Sequence, residues 1–239
     1  MFMHHERVVR VQEELSKIGP ATFAATNFSF SGDEDFFKSN IRMVPELEPF
    51  CALGDLGWYN IRATLMAFGW DAPARVSVFS HRNVDGKNMA SEVTGTLFYA
   101  DERRATFQSS FHHSFRQTLD IACAGGEVVL DDFVLERTPE EVSFSVITDS
   151  GPNDDHETVS ETNTRITIKG CCQEVRMWER FARLAAKGRE GGSDATASGA
   201  AGVLDTWAFW EDISLKTQAV LDACAESARN NGAVTEVKL

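Results

Sequence analysis

The residues best suited to chemistry lie in one short run, Gly54-Asp55-Leu56-Gly57-Trp58-Tyr59-Asn60-Ile61-Arg62. Asp55 and Tyr59 are four apart, so on a helix they share a face, one turn from each other. A phenol near a helix N-terminus meets the positive end of the macrodipole, which favours its anionic form. Such a group can give or take the proton in a carbonyl–alcohol interconversion. Gly54 and Gly57 bracket Asp55 at the expected helix start, where Asp is a favourable N-cap. The run therefore also reads as a capped helix followed by a packed aromatic pair, Trp58-Tyr59.

Other chemistry-bearing residues have plainer readings beside them. His113 falls on the apolar side of an expected strand, as a satisfied core histidine does, and His112 falls on the polar side. Cys171-Cys172 stand at a helix start, where a thiol can be acidified, although vicinal cysteines need no function. Asp154-Asp155-His156-Glu157 carry oxygen donors for a divalent cation but equally form an exposed acidic loop tip. No Cys, His or acid set has zinc spacing, so no metal site is expected.

Apolar residues at 8, 11, 15 and 18 predict a helix over 6–18, stopped by Gly19-Pro20. A strand is expected over 22–31, a loop over 32–49 and a second helix over 56–68. From Arg75 to Lys169 the pattern turns to β. Strands are expected at 75–81, 92–99, about 105–123, 127–135, 142–148 and 164–169. The long third strand alternates Phe107, Ser109, Phe111, His113, Phe115 and Leu119 against Gln108, Ser110, His112, Ser114, Arg116 and Asp120. Helices are expected at 172–187 and about 212–230, with a low-complexity, flexible loop over 188–202 between them. This order predicts an α+β fold: a large, mainly antiparallel sheet with helices on one face, forming one domain over 1–239.

The chain has 239 residues, 43% hydrophobic, which is ample for a sizeable core. Its 23 Lys and Arg against 36 Asp and Glu give a net charge of -13, which argues against nucleic acid as a partner. No run approaches the roughly 18 apolar residues of a membrane span. Five cysteines, an odd number without a signal peptide, point to a reducing, cytoplasmic setting.

The run Asn40-Ile41-Arg42, Pro45-Glu46-Leu47-Glu48-Pro49 and Ala52-Leu53-Gly54-Asp55-Leu56-Gly57-Trp58-Tyr59 resembles the Gfo/Idh/MocA oxidoreductases, most closely their plant and algal branch. Gly95-Thr96-Leu97-Phe98, Gly125-Gly126-Glu127-Val128, Asp131-Asp132-Phe133 and Ile213-Ser214-Leu215-Lys216-Thr217-Gln218 are similar to later motifs of that family. The resemblance implies NAD(P)-dependent oxidation or reduction of the CH–OH group of a sugar, polyol or dihydrodiol-like substrate. Tyr59 would be the proton shuttle and Asp55 its orienting acid, with His4, His5 and Arg7 near the pocket rim. It also implies a homo-oligomer formed through the open sheet face, for which Gln108, Ser110, His112, Ser114 and Arg116 would serve.

No G-x-G-x-x-G is present, and no Lys-Pro pair matches the family's catalytic lysine. The chain accordingly looks like the family's C-terminal domain without the Rossmann domain, and NAD or NADP is not expected to bind it alone. The alternative is a non-catalytic, sheet-mediated interaction module derived from the same family.

Overall fold

The stop signal Gly19-Pro20 and the alternation after it are realised closely: a 13-residue helix ends at Ile18 and a strand begins at Ala21. The computed structural model describes residues 1–83, 89–138, 140–152, 159–189 and 204–239. In chain order the elements begin with α1 (Glu6–Ile18), β1 (Ala21–Ser31) and α2 (Glu34–Ser39). A π-turn (Leu53–Gly57) then runs into α3 (Trp58–Ala67). The β region holds β2 (Arg75–Asn83), β3 (Ala90–Phe98), β4 (Arg104–Ser110) and β5 (His112–Cys123). It continues through β6 (Gly126–Leu130), β7 (Glu141–Pro152) and β8 (Val159–Lys169). The chain closes with α4 (Gln173–Arg189), α5 (Trp207–Arg229) and β9 (Thr235–Glu236). The fold is α+β, with a large mixed, mostly antiparallel sheet and helices.

The described residues group into two compact units, Met1–Pro20 with Ala122–Ser214, and Ala21–Ile121 with Leu215–Leu239. In the first, β6, β7 and β8 form an antiparallel run. Val142, Phe144 and Val146 of β7 are buried, and α1 packs on β6 and β7 through its buried Val8, Val11 and Leu15. Each such side chain contributes roughly 1.5–3 kcal/mol of burial, so the stripe read from the sequence accounts for the docking. The helix at 172–187 extends to Arg189, which takes in the first two residues of the expected loop; 190–203 lie outside the described residues. The acidic segment Asp154–Glu157 lies outside them as well.

In the second unit the strands run β5-β1-β4-β3-β2-β9. β1 and β4 are parallel; the β4–β3, β3–β2 and β2–β9 pairs are antiparallel. Ala24, Ala105, Leu97 and Val76 stand opposite one another across four strands and are all fully buried. α3 packs on β1 and β4. Gly95 pairs with Val78 and Phe107, and a Cβ there would stand 2.5 Å from the Phe107 ring, so the ring's seat needs glycine. β9, two residues long, carries no sequence pattern, and α2 occupies part of the expected 32–49 loop.

The long strand expected over 105–123 is corrected: it breaks at Phe111 into β4 and β5. The Phe111 N–H donates to the Ser91 carbonyl, and its carbonyl accepts from the Gly32 N–H, so the two backbone groups of this residue serve different segments. The side-chain pattern changes beyond the break. Phe115 is half exposed, whereas Gln117, Leu119 and Ile121 are buried. His113 is not a core histidine; its ring lies part exposed with Nε2 2.9 Å from a Glu92 carboxylate oxygen. The polar residues expected in one row are thereby divided, Gln108 and Ser110 on β4 and His112, Ser114 and Arg116 on β5.

Candidate active site

Asp55 and Tyr59 sit in the second unit, where β1 returns through residues 40–57 into α3. Asn40 starts the approach: its Oδ1 accepts from the Arg42 backbone N–H at 3.0 Å and shapes a single turn over Ile41–Met43. Cys51 then adopts φ +52, and helical winding begins at Ala52. The expectation of an N-cap at Asp55 is therefore corrected, because its N–H already donates to the Cys51 carbonyl within the helix. Asp55 lies inside the π-turn, a widening of the helix that recurs at functional sites. A Cβ on Gly54 would run into the Glu48 carboxylate, which accepts from the Phe50 N–H at 3.1 Å. Glycine at 54 leaves room for that carboxylate where the preceding loop meets the turn.

Buried Leu53 and Leu56 anchor the turn, and Asn60 anchors the helix. The Asn60 amide donates to the Gln108 carbonyl at 2.9 Å and to Ser109 Oγ at 3.0 Å, tying α3 to β4. Tyr59, one residue earlier, is half buried, with its ring edge-on to Phe28 at 5.6 Å. Aromatic pairs of this geometry hold a ring's orientation.

The Arg42 Nε lies 2.6 Å from Asp55 Oδ2, an ion pair at the edge of solvent. These charges act on the phenol in opposite senses. Burial and then the Asp55 carboxylate push the Tyr59 pKa above the usual tyrosine value, and Arg42 pulls it down. The expected dipole-favoured anion is corrected: Tyr59 lies well inside the helix rather than at its first residues, and the net effect keeps the hydroxyl protonated. A neutral, part-exposed phenol beside a fixed carboxylate has the chemistry to donate a proton. Arg42 was not singled out as a site residue by the sequence; the Asn40-Ile41-Arg42 motif was its only signal.

His4, His5 and Arg7 belong to the first unit. His4 stacks on Trp210 at 4.6 Å and its Nδ1 lies 3.0 Å from Arg180 Nη1. His5 is buried and caps α1, its Nδ1 accepting from the Arg7 N–H at 2.9 Å. That bond places the neutral ring's proton on Nε2, which faces Glu136 Oε1 at 3.4 Å. The Arg7 guanidinium, also buried, donates to Asp132 Oδ1 at 2.5 Å and to the Asp132 carbonyl at 2.9 Å.

Burial, and then the charge of Arg7, lower the His5 pKa to about 4. Between its unfolded value near 6.5 and about 4, the unfolded chain binds a proton that the native one does not, so stability falls as pH drops through that window. The full effect is about 3 kcal/mol. His5→Asn keeps a capping side chain, and its urea midpoint is expected to lose most of this acid-side decline. Glu136 titrates with the opposite sign, since burial raises its pKa, and it is present in both proteins. The difference between the two pH profiles therefore reports His5, and parallel profiles would refute the assignment.

Among the described residues no group of three or more His, Cys, Asp or Glu side chains is arranged to hold a metal ion. No helix there is long and apolar enough to cross a membrane. Nor do they offer a dinucleotide cradle. The described parallel pair, β1 with β4, is joined through antiparallel β2 and β3, without the glycine-rich strand-to-helix turn that holds a pyrophosphate.

The family profile described as the GFO/IDH/MocA C-terminal domain matches residues 10–129. Among solved structures, the chain is similar to a 3-ketoreductase from Actinomadura kijaniata in complex with NADP, with TM-score 0.73 and 16% identity, covering 96% of this chain and 60% of that one. A levoglucosan dehydrogenase in complex with NADH and levoglucosan has TM-score 0.66 and 16% identity, covering 97% and 62%. A structure described as an NADPH-dependent oxidoreductase from Desulfitobacterium hafniense has TM-score 0.67 and 17% identity, covering 98% and 62%. The chain thus spans about three fifths of each of these proteins, and at such identities the likeness is one of fold.

Proposed function

We infer from the family to which this chain belongs, that of the GFO/IDH/MocA C-terminal domain, that it is the substrate-binding and acid–base portion of an NAD(P)-dependent oxidoreductase. The substrate class is a sugar, polyol or dihydrodiol-like molecule with a reacting CH–OH group. The observation that carries this reading is the half-buried, protonated phenol of Tyr59 beside the Arg42–Asp55 ion pair. As a carbonyl oxygen gains negative charge, the phenol donates its proton to it; in the reverse direction the phenolate accepts the proton of the alcohol. Asp55 orients the group that Tyr59 serves. The nicotinamide would supply hydride chemistry, and the residues described here do not form a cradle for it. His5 Nδ1 is taken by the helix cap and the Arg7 guanidinium by Asp132, so this proton transfer is assigned to Tyr59 and Asp55 alone.

Self-association through the open sheet face is part of the proposal. Asn27, Gln108 and Thr94 stand opposite one another across β1, β4 and β3, as do Thr106 and Thr96, all part exposed on the face opposite the buried row. The test is turnover by the longest gene product that contains this chain, offered NAD⁺ and NADP⁺ with a panel of pyranoses, polyols and dihydrodiols. Reduction of the nicotinamide with at least one member is expected. A folded, self-associated product that reduces neither cofactor with any of them would instead identify a non-catalytic interaction module.

A further inference from the structure

We propose that Arg42 is the positioning residue of this site: it fixes the Asp55 carboxylate on the π-turn and supplies the counter-charge beside the Tyr59 phenol. The proposal rests on the reading of Tyr59 as the acid–base group, and it adds a residue that the reading alone does not contain.

Arg42 is itself well placed. Asn40 Oδ1 accepts from both its backbone N–H and its Nη1, at 3.0 and 3.4 Å, which fixes the loop and the guanidinium together. Nε then meets Asp55 Oδ2 at 2.6 Å. Stability gives little reason for such a pair. Arg42 is about one-third exposed, and ion pairs at that exposure contribute roughly 0–1 kcal/mol. Its consequence for Tyr59 is larger. An uncompensated carboxylate would oppose negative charge both on the phenol and on the substrate oxygen it serves. Opposing that carboxylate with a guanidinium, which keeps its proton throughout the working range, lets Asp55 orient without suppressing proton transfer. Beside Asp55, Glu48 and Tyr59 also act on Arg42, and both strengthen the guanidinium's hold on its proton.

The sequence offers a clean readout. The chain has two tyrosines, Tyr59 and Tyr99. Tyr99 is 5% exposed, and burial carries its pKa far above the usual range, so the first tyrosinate absorbance to appear on raising pH reports Tyr59. A Tyr59→Phe protein supplies the blank, and circular dichroism at each pH confirms that the fold persists.

Arg42→Met is expected to move the Tyr59 transition to higher pH, Asp55→Asn to move it lower, and the double variant to return it close to wild type. Arg42→Lys should recover part of the shift, since an ammonium restores the charge without the fork. A Tyr59 transition unmoved in folded Arg42→Met would overturn the proposal. So would Arg42→Lys behaving as Arg42→Met does. The titration needs neither substrate nor cofactor, so its failure would remove Arg42 while leaving the oxidoreductase reading to stand or fall on turnover.

Discussion

Replacing Tyr59 by Phe is expected to lower kcat by about 10²–10⁴-fold, the usual contribution of a positioned acid–base group, in the nicotinamide-reducing gene product that contains this chain. The ring's edge-on contact with Phe28 survives the substitution, so the fold and the cofactor affinity should be nearly unchanged. The pH dependence carries the sign. The wild-type phenol is held protonated, with its pKa above the ordinary tyrosine value. Carbonyl reduction should therefore be level through neutral pH, and alcohol oxidation should climb through the alkaline range as phenolate forms. Tyr59→Phe should flatten that climb. Wild-type turnover in the variant would show that another group moves the proton.

The second large effect concerns stability. Arg7→Met is expected to destabilise the chain by about 3–5 kcal/mol, because it strands the Asp132 carboxylate in the interior. The Arg7 side chain is 2% exposed and the Asp132 side chain 10%, so water cannot readily replace the lost partner. Removing both charges, as Arg7→Met with Asp132→Leu, should recover much of the loss, since an apolar pair avoids the burial of charge altogether. Urea unfolding of the three proteins measures this directly. A loss under about 1 kcal/mol in the single variant, as for a surface pair, would mean that Asp132 regains solvent. This expectation also gives Arg7 a role in the fold without any ligand.

Elements whose pattern is local were legible in the sequence. α1 announces itself through Val8, Val11 and Leu15 and stops at Gly19-Pro20, where φ is +93 at the glycine. The Gly125-Gly126 hairpin likewise falls where its glycines put it, with φ +149 at Gly126. The break at Phe111 was not legible, because the alternation of apolar and polar residues continues through it; only the pairing of its peptide with Ser91 and Gly32 divides the strand. Tyr59 and Asp55 stand out as an aromatic and an acid at helical spacing, but their electrostatics are not written in the pattern. The pattern does not disclose that winding begins at Ala52, nor that burial outweighs the helix dipole. Arg42 escaped for a related reason: it is a loop cation, placed by Asn40 and paired at a distance in sequence, with no periodicity to mark it.

The π-turn closes each hydrogen-bonded ring with one residue more than the α-helix that follows it. Trimming one residue from Leu53–Gly57 would therefore let the segment close as regular helix with its two flanks nearly in phase. The same deletion within Trp58–Ala67 has no such slack, and it would swing one flank by about 100° against the other. A change of length is accordingly expected to be borne more easily in the turn than in the helix behind it.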